Sequence, residues 1–415
     1  MGKKIGIIGR MELITADLLI PGDGQPVRQA AVVIENGLIR YAGPARNAPD
    51  TTGATRTSAP VVMPGLWDCH THLFGAPDLD PARVLTVSPE LRAARCVPDL
   101  RAALDAGVTS VRELGGLGVH LAPAVAEGSI EGPTIYASGA VLSTTGGHGD
   151  LHSLPIHWVS ELSDFRLADG ADECVRATRE QLRKNARVIK ICASGGVLSE
   201  VDHPIHQQFT VAEMRAVVEV AAMAERVVAA HCHGKPGMMA AIEAGVRTIE
   251  HGTYLDEEVA DAMRETGTVL VATCTVIDEL MTAGGLPPVL MDKLKAVAEV
   301  HAGAVALAHS RGVRLAMGTD IYVSGRGKPN SWGRNGRELA HLVGCGLSPL
   351  EAIRAATAHG PLTLGAQAPR SGVLAEGYDA DVITLDADPL DDITAMSDPD
   401  HVTGVWKAGR RVKGA

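Results

Sequence analysis

Aromatic residues make up only 3% of this 415-residue chain, so ring packing is not what builds its core. Basic charge is also short. Against 49 acidic residues stand 38 lysines and arginines, for a formal charge of −11, and no basic tract offers a nucleic-acid footprint. Cysteine is sparse: Cys69, Cys96, Cys174, Cys192, Cys232, Cys274 and Cys345 are scattered, odd in number and form no C-x-x-C. That excludes a disulfide framework and points to buried thiols in a reducing compartment. No apolar run reaches bilayer length. Behind Lys3 and Lys4, residues Arg10, Glu12 and Asp17 interrupt any signal-peptide core. A cytoplasmic location is the expectation, although a trimmed leader would leave the same sequence. Neither nucleic acid nor membrane is an expected partner.

What is present is ordinary globular material, 46% apolar and 21% charged, with 46 glycines. A core of Ala, Val, Ile and Leu with many tight turns suits an α/β protein. The first sixty residues read as short strands and turns: Met11 to Ile20, a turn at Pro21-Gly22-Asp23-Gly24, then Ala30 to Ile34 and Leu38 to Tyr41 around Glu35-Asn36-Gly37. Gly6-Ile-Ile-Gly9 hints at a nucleotide loop but lacks the third glycine and a following helix. The last residues return to the same style at Gly372-Val-Leu, Asp381 to Asp386 and Val405 to Val412. One small β-sandwich assembled from residues 1–60 and 366–415 is therefore expected.

Residues 61–365 alternate between β-branched runs and amphipathic stretches. Strands are expected at Val61–His72, Val108–Glu113, Thr134–Ser138, Val188–Ala193, Val227–His233, Thr248–His251, Val269–Thr273 and Leu315–Asp320. Thr210-Val-Ala-Glu213 and Ser348-Pro-Leu-Glu351 are capping boxes that open helices. Eight strands with helices between them predict a (β/α)8 TIM barrel, with a doubly wound sheet as the competitor.

The ends of these strands carry ligand chemistry. Strand one ends Asp68-Cys-His70-Thr-His72, and strand five ends His231-Cys-His233. A two-residue period puts each histidine pair on one face, where both rings can reach one cation. His251 and Asp320 close strands six and eight. One such pair alone is unspecific. Two pairs, a further histidine and an aspartate at the mouth of one barrel read as a metal centre. Imidazole and carboxylate suit zinc first, or manganese. In strand four, Lys190 sits within Val188-Ile-Lys-Ile-Cys192. A buried ammonium is costly, whereas a neutral amine carboxylated by CO2 becomes an anion able to bridge two cations.

These pieces together resemble the amidohydrolase superfamily. The matching stretches are Val62-Met-Pro-Gly-Leu-Trp-Asp-Cys-His-Thr-His72, Lys190, His231, His251, Gly318-Thr-Asp320, Ala355-Ala-Thr-Ala-His-Gly360 and Gly377-Tyr-Asp-Ala-Asp-Val382. Ser143-Thr-Thr-Gly-Gly-His148-Gly and Ala229-Ala-His-Cys-His-Gly234 narrow the likeness to the branch with imidazolonepropionase-like proteins, prolidase-like carboxypeptidases and ochratoxin-cleaving amidohydrolases. The resemblance implies His70, His72 and Asp320 on one metal, His231 and His251 on a second, and carboxylated Lys190 between them. A metal-activated hydroxide would attack, with Asp320 carrying its proton to the leaving amine. His148 is implied as a donor to the developing oxyanion, and His233 as a substrate contact able to exchange roles with His231. Tyr254, Arg326 and Lys328 are candidates for holding a substrate carboxylate.

The chain departs from relatives after Asp320, where Ile-Tyr-Val-Ser-Gly-Arg-Gly-Lys-Pro-Asn330 replaces a Pro-His-Gly-type turn. His203 and His206 read as lid or surface residues. His120, His152, His157, His301, His309, His341, His359 and His401 read as structural. The implied activity is a binuclear metal-dependent hydrolase that releases a C-terminal amino acid from a dipeptide or N-acyl amino acid, ochratoxin-type amides of phenylalanine included. Cyclic-amide hydrolysis usually goes with a single metal, and Lys190 argues against that. Deamination would want a glutamate shortly after His231, where the chain reads Cys-His-Gly-Lys-Pro236. A metal-free scaffold would not keep all six ligand positions. The resemblance also implies a homo-oligomer, an octamer among the forms considered.

Overall fold

The computed structural model describes residues 11–414 except 81, 82, 85 and 161. The Gly6-Ile-Ile-Gly9 segment lies outside the described residues.

Both chain ends build one seven-stranded sheet. Its centre is the antiparallel pairing of Val382–Leu385 with Thr55–Pro64, in which Val382 faces Pro64 and Leu385 faces Val61. Thr55–Pro64 in turn pairs in parallel with Glu12–Leu19. Ile14, Val32, Val62, Val382 and Trp406 share one apolar cluster of the small β-sandwich, so neither end can bury its inner face without the other.

The remaining strands form the TIM barrel. The expected strand Val61–His72 divides: Thr55–Pro64 belongs to the terminal sheet, and Leu66–Ala76 opens the barrel. After it come Val108–Gly116, Thr134–Ala137, Val188–Cys192, Val227–Cys232, Thr248–His251, Val269–Val271 and Leu315–Ala316. The third position is split. Thr134–Ala137 pairs with the second strand and Val141–Ser143 with the fourth, and three residues are too few to show a period in the sequence. Closure comes from Cys69 N–H donating to Met317 O (2.8 Å) and Asp320 N–H to His70 O (2.7 Å). Alternation is absent because every residue of Leu66–Ala76 is buried, as barrel strands covered by helices require.

Both capping boxes form, Thr210 with Glu213 at Val211–Met223 and Ser348 with Glu351 at Pro349–Ala355. Each satisfies orphan amides and sets where its helix begins, and hence where the preceding loop leaves the barrel mouth. Among the described residues no helix is long and apolar enough to cross a membrane.

Candidate metal centre and active site

Parallel strands that all run one way bring their C-terminal ends to one mouth. There His70, His72, His148, Lys190, His231, His233, His251 and Asp320 line a single cavity of about 600 Å³. His231, His233 and His251 bring ligand atoms within 4.8 Å of one another, and so do His70, His251 and Asp320. His72 Nε2 lies 3.2 Å from Asp320 Oδ1, and Lys190 Nζ lies 3.2 Å from His70 Nε2. His231 and His233 are both placed to ligate, so the two-residue period does not choose between them.

Electrostatics favour a cation. Burial, then the Lys190 charge, lowers the His70 pKa to about 4. Burial takes His233 to about 3 and holds His231 and His251 well below their ordinary range. Burial also lowers the Lys190 amine. For Asp320 burial pushes upward, but His70, His72 and Lys190 outweigh it and hold the carboxyl at about 2. Imidazoles that burial keeps from protonating, an amine whose ammonium form burial disfavours and a carboxylate form a donor set that fits divalent ions.

Partners behind these groups fix their aim. His72 Nδ1 meets Gly115 O at 3.0 Å, and His251 Nδ1 meets Thr273 Oγ1 at 2.7 Å. Asp68 accepts from Thr319 N–H (3.1 Å), Thr319 Oγ1 (2.6 Å) and Asn335 Nδ2 (2.7 Å), which ties down the turn that presents Asp320. A Cβ at Gly318 would lie 2.4 Å from Val271 Cγ1 and 2.8 Å from His70 Cβ, so only glycine lets this turn sit against the first strand. His251, Thr273 and Asp320 adopt φ of +71°, +59° and +58°. Such backbone is uncommon outside glycine and clusters at functional sites.

Residues without a sequence signal complete the site. Glu250 lies beside His70, and Arg112 donates to both Glu250 oxygens at 2.7 and 2.8 Å. His152 lines the cavity, a correction to its structural reading. His301 is buried in helix Pro288–Ser310 and meets Thr253, which meets His233 Nδ1.

Three carboxylate-binding candidates fall elsewhere. Arg326 is exposed, and its charge acts near Lys413. Lys328 donates to Pro77 O. Tyr254 is half-buried against the apolar cluster of Val276, Leu280 and Leu294, outside the cavity lining. Residues near Asp320 or His251 in sequence need not point the same way. Among the described lining residues Lys190 is the only lysine and there is no arginine. Most of the wall is apolar, with Phe74, Phe165, Leu280 and Leu294 among its residues, and Asp78, Asp80, Asp150 and Glu200 also line it. His203 and His206 stay outside the lining, as expected of the loop after strand four.

A barrel with this histidine, lysine and aspartate set at its C-terminal mouth defines a class of hydrolases whose residues are built to hold metal. The amidohydrolase family model matches residues 61–412, and the chain belongs to that family, as a hydrolytic enzyme acting on amide bonds. It is 43% identical to the ochratoxinase of Aspergillus niger, over 98% of this chain and 87% of that protein. The crystal structure of that ochratoxinase superposes with a TM-score of 0.91, covering 98% of this chain and 96% of the other at 42% identity. A prolidase solved with N-methylphosphonate-L-proline gives 0.87 at 32% identity, covering 97% and 99%. An imidazolonepropionase of Micrococcus luteus is 25% identical over 96% of this chain and 97% of that protein.

Proposed function

We propose that this hydrolase releases a C-terminal amino acid from an N-acyl amino acid or dipeptide, with amides of phenylalanine such as ochratoxin A as its preferred type. One observation carries the reading: the ligand set lies in a roughly 600 Å³ cavity whose wall is mostly apolar, with Phe, Val and Leu side chains beside Asp78, Asp80, Asp150 and Glu200. Such a chamber holds an acyl group and an apolar amino-acid side chain on either side of one amide. The 43% identity to an ochratoxinase supports the same choice over the cyclic-amide alternative, whose representative is 25% identical.

His70, His72 and Asp320 would hold one divalent ion and His231 and His251 the other, zinc being the first choice, with Lys190 between them as its carbamate. The neutral amine favoured by burial is the form that attacks CO2, giving carbamate and one proton. Such ions acidify water and polarise a carbonyl. Asp320, anionic at rest, accepts a proton and returns it to the leaving amine. His233 and His148 border the substrate. The apolar side chains of the wall exclude water from the reacting amide.

With Arg326 outside the cavity, a substrate carboxylate would meet the histidines. Residues 1–60 with 366–415 are read as one unit and 61–365 as the catalytic one. A cytoplasmic homo-oligomer, an octamer among its forms, completes the reading. The test is metal per chain by elemental analysis, together with turnover of N-acyl amino acids and dipeptides varied at the C-terminal residue. About two metals with release of phenylalanine from its N-acyl forms is the expected result. Two metals with cleavage of cyclic amides alone would overturn the reading, and light scattering decides the oligomer.

A further inference from the structure

His148 stacks on His231 with ring centroids 4.2 Å apart, which puts it beside the ligand set without making it a member. Its Nδ1 lies 2.9 Å from Ser199 Oγ. Among the described residues nothing hydrogen-bonds its Nε2. Ser199 lies in the loop after the fourth barrel strand, and its hydroxyl contacts Asp202 Oδ1, with Gly196 O a more distant acceptor at 3.4 Å. The surroundings hold this loop firmly. Asp202 Oδ2 accepts from Gly196 N–H and Gln208 Nε2, each at 3.0 Å, and Lys293 Nζ donates to Ser199 O at 2.7 Å. Gln208 Oε1 accepts the His148 amide at 3.1 Å. A Cβ at Gly196 would lie 2.1 Å from His148 Nδ1, so the ring rests directly on this backbone.

A hydroxyl has one hydrogen. Asp202 Oδ1 and Gly196 O are both acceptors with nothing to donate, so the Ser199 hydrogen goes to one of them. Turning it toward His148 would set serine lone pairs against a carboxylate oxygen in contact. Ser199 Oγ must therefore receive its remaining hydrogen bond, and the donor is His148 Nδ1–H. In a neutral ring the proton on Nδ1 leaves a lone pair on Nε2. That reverses the donor role implied by the family resemblance.

We propose that Ser199 and Asp202 are positioning residues that lock His148 as its Nδ1–H tautomer, so that Nε2 accepts the scissile N–H of the substrate and makes the enzyme selective for secondary over tertiary amides. The inference rests on the amide-hydrolase reading above and deepens it to a substrate class. N-acyl-phenylalanines carry the required N–H. N-acyl-prolines and N-methylated analogues lack it, and would leave the lone pair without a partner.

The lock is tested without turnover. In 15N-histidine NMR of the metal-loaded enzyme at pH 8, with His148→Gln to assign the signal, Nδ1 is expected protonated and Nε2 bare. A proton on Nε2, in a neutral or a cationic ring, overturns the lock. Selectivity is tested by kcat/KM for an N-acyl-phenylalanine and its N-methyl analogue. The unmodified enzyme is expected to prefer the first by about 10- to 100-fold. Ser199→Ala should keep its metal, lose about 10-fold on the secondary amide and little on the tertiary one. Ser199→Thr, which retains the hydroxyl, should restore the preference. A preference that survives Ser199→Ala intact is steric and overturns the proposal. An unmodified enzyme that cleaves no amide of either kind removes the amide reading instead, and the NMR result still decides the tautomer.

Discussion

His70 Nδ1 lies 2.9 Å from Glu250 Oε2, and both side chains are sealed from solvent. Burial pushes the Glu250 carboxyl upward, but Arg112, His70 and Lys190 outweigh it and hold it at about 2. Arg112 is itself fully buried and spends its other donors on Cys69 O and Thr248 Oγ1. The anion therefore receives His70 Nδ1–H and turns Nε2 toward Lys190 and Asp320. A metal-binding imidazole is commonly backed by a carboxylate in this manner, which fixes its tautomer and raises its basicity.

Glu250→Gln should lower metal affinity by about 10- to 100-fold. It also leaves Arg112 buried without an anion, which costs about 3–5 kcal/mol of stability. Elemental analysis after dialysis and a thermal melt read the two effects separately. Unchanged metal retention would show that Glu250 serves only Arg112.

Lys190→Ala should lose metal and activity together, and a short-chain carboxylic acid should restore part of both if the carbamate bridges. Retention of full metal content would sink the bridge. Asp320→Asn separates the roles: metal should largely remain while kcat falls by about 10²- to 10⁴-fold. Wild-type turnover in that variant would remove its part in proton transfer.

Chelation should abolish turnover and lower the melting temperature, because an ion that binds only the folded protein stabilises it by mass action. Adding back zinc should restore both. A chelated enzyme of undiminished activity would end the metal reading.

Leu280, on helix Cys274–Ala283, faces the cavity and not the ligand cluster. Leu280→Ala removes contact made equally in the ground and transition states. KM for an N-acyl-phenylalanine should rise about 10-fold with kcat held. Steady-state kinetics would contradict this if kcat fell instead.

Glu113, in the second barrel strand, is fully buried, and among the described residues its Oε1 accepts from Leu73 N–H at 3.3 Å. Burial raises its pKa to about 8. An acid whose folded pKa lies above its unfolded value binds its proton more tightly when folded. Its contribution to stability is therefore complete below about pH 4.5 and is lost as pH rises through about 8. Glu113→Gln keeps the shape without the titration. Relative to wild type it should gain in melting temperature as pH climbs from 5 to 8, and a constant difference across that range would refute the assignment.

Much of the site was legible because its signals are local. Strand alternation places His70 with His72 and His231 with His233, and a parallel barrel gathers strand ends whatever the loops do. Glu250 was not legible. Its neighbours in sequence say strand, and its value lies in Arg112 and His70, 138 and 180 residues away. The pairing of His148 with Ser199 spans 51 residues and depends on a loop pinned by Lys293 from a distant helix. Arg326 and Tyr254 lie off the cavity lining for the converse reason: nearness along the chain to Asp320 or His251 does not fix the direction of a side chain. The third barrel strand escaped its full extent because a four-residue and a three-residue piece carry no measurable period.

By itself the sequence determined the barrel, the two-ended β-sandwich and the gathering of histidines, a lysine and an aspartate at the strand ends, since all three follow from periodicity and local chemistry. Only the tertiary structure decided which carboxylate backs His70, which tautomer the Ser199 contact imposes on His148, and that the chamber has a mostly apolar wall without an arginine among its described lining. Those depend on barrel closure and on loop contacts between residues far apart in the chain, and no local pattern encodes them.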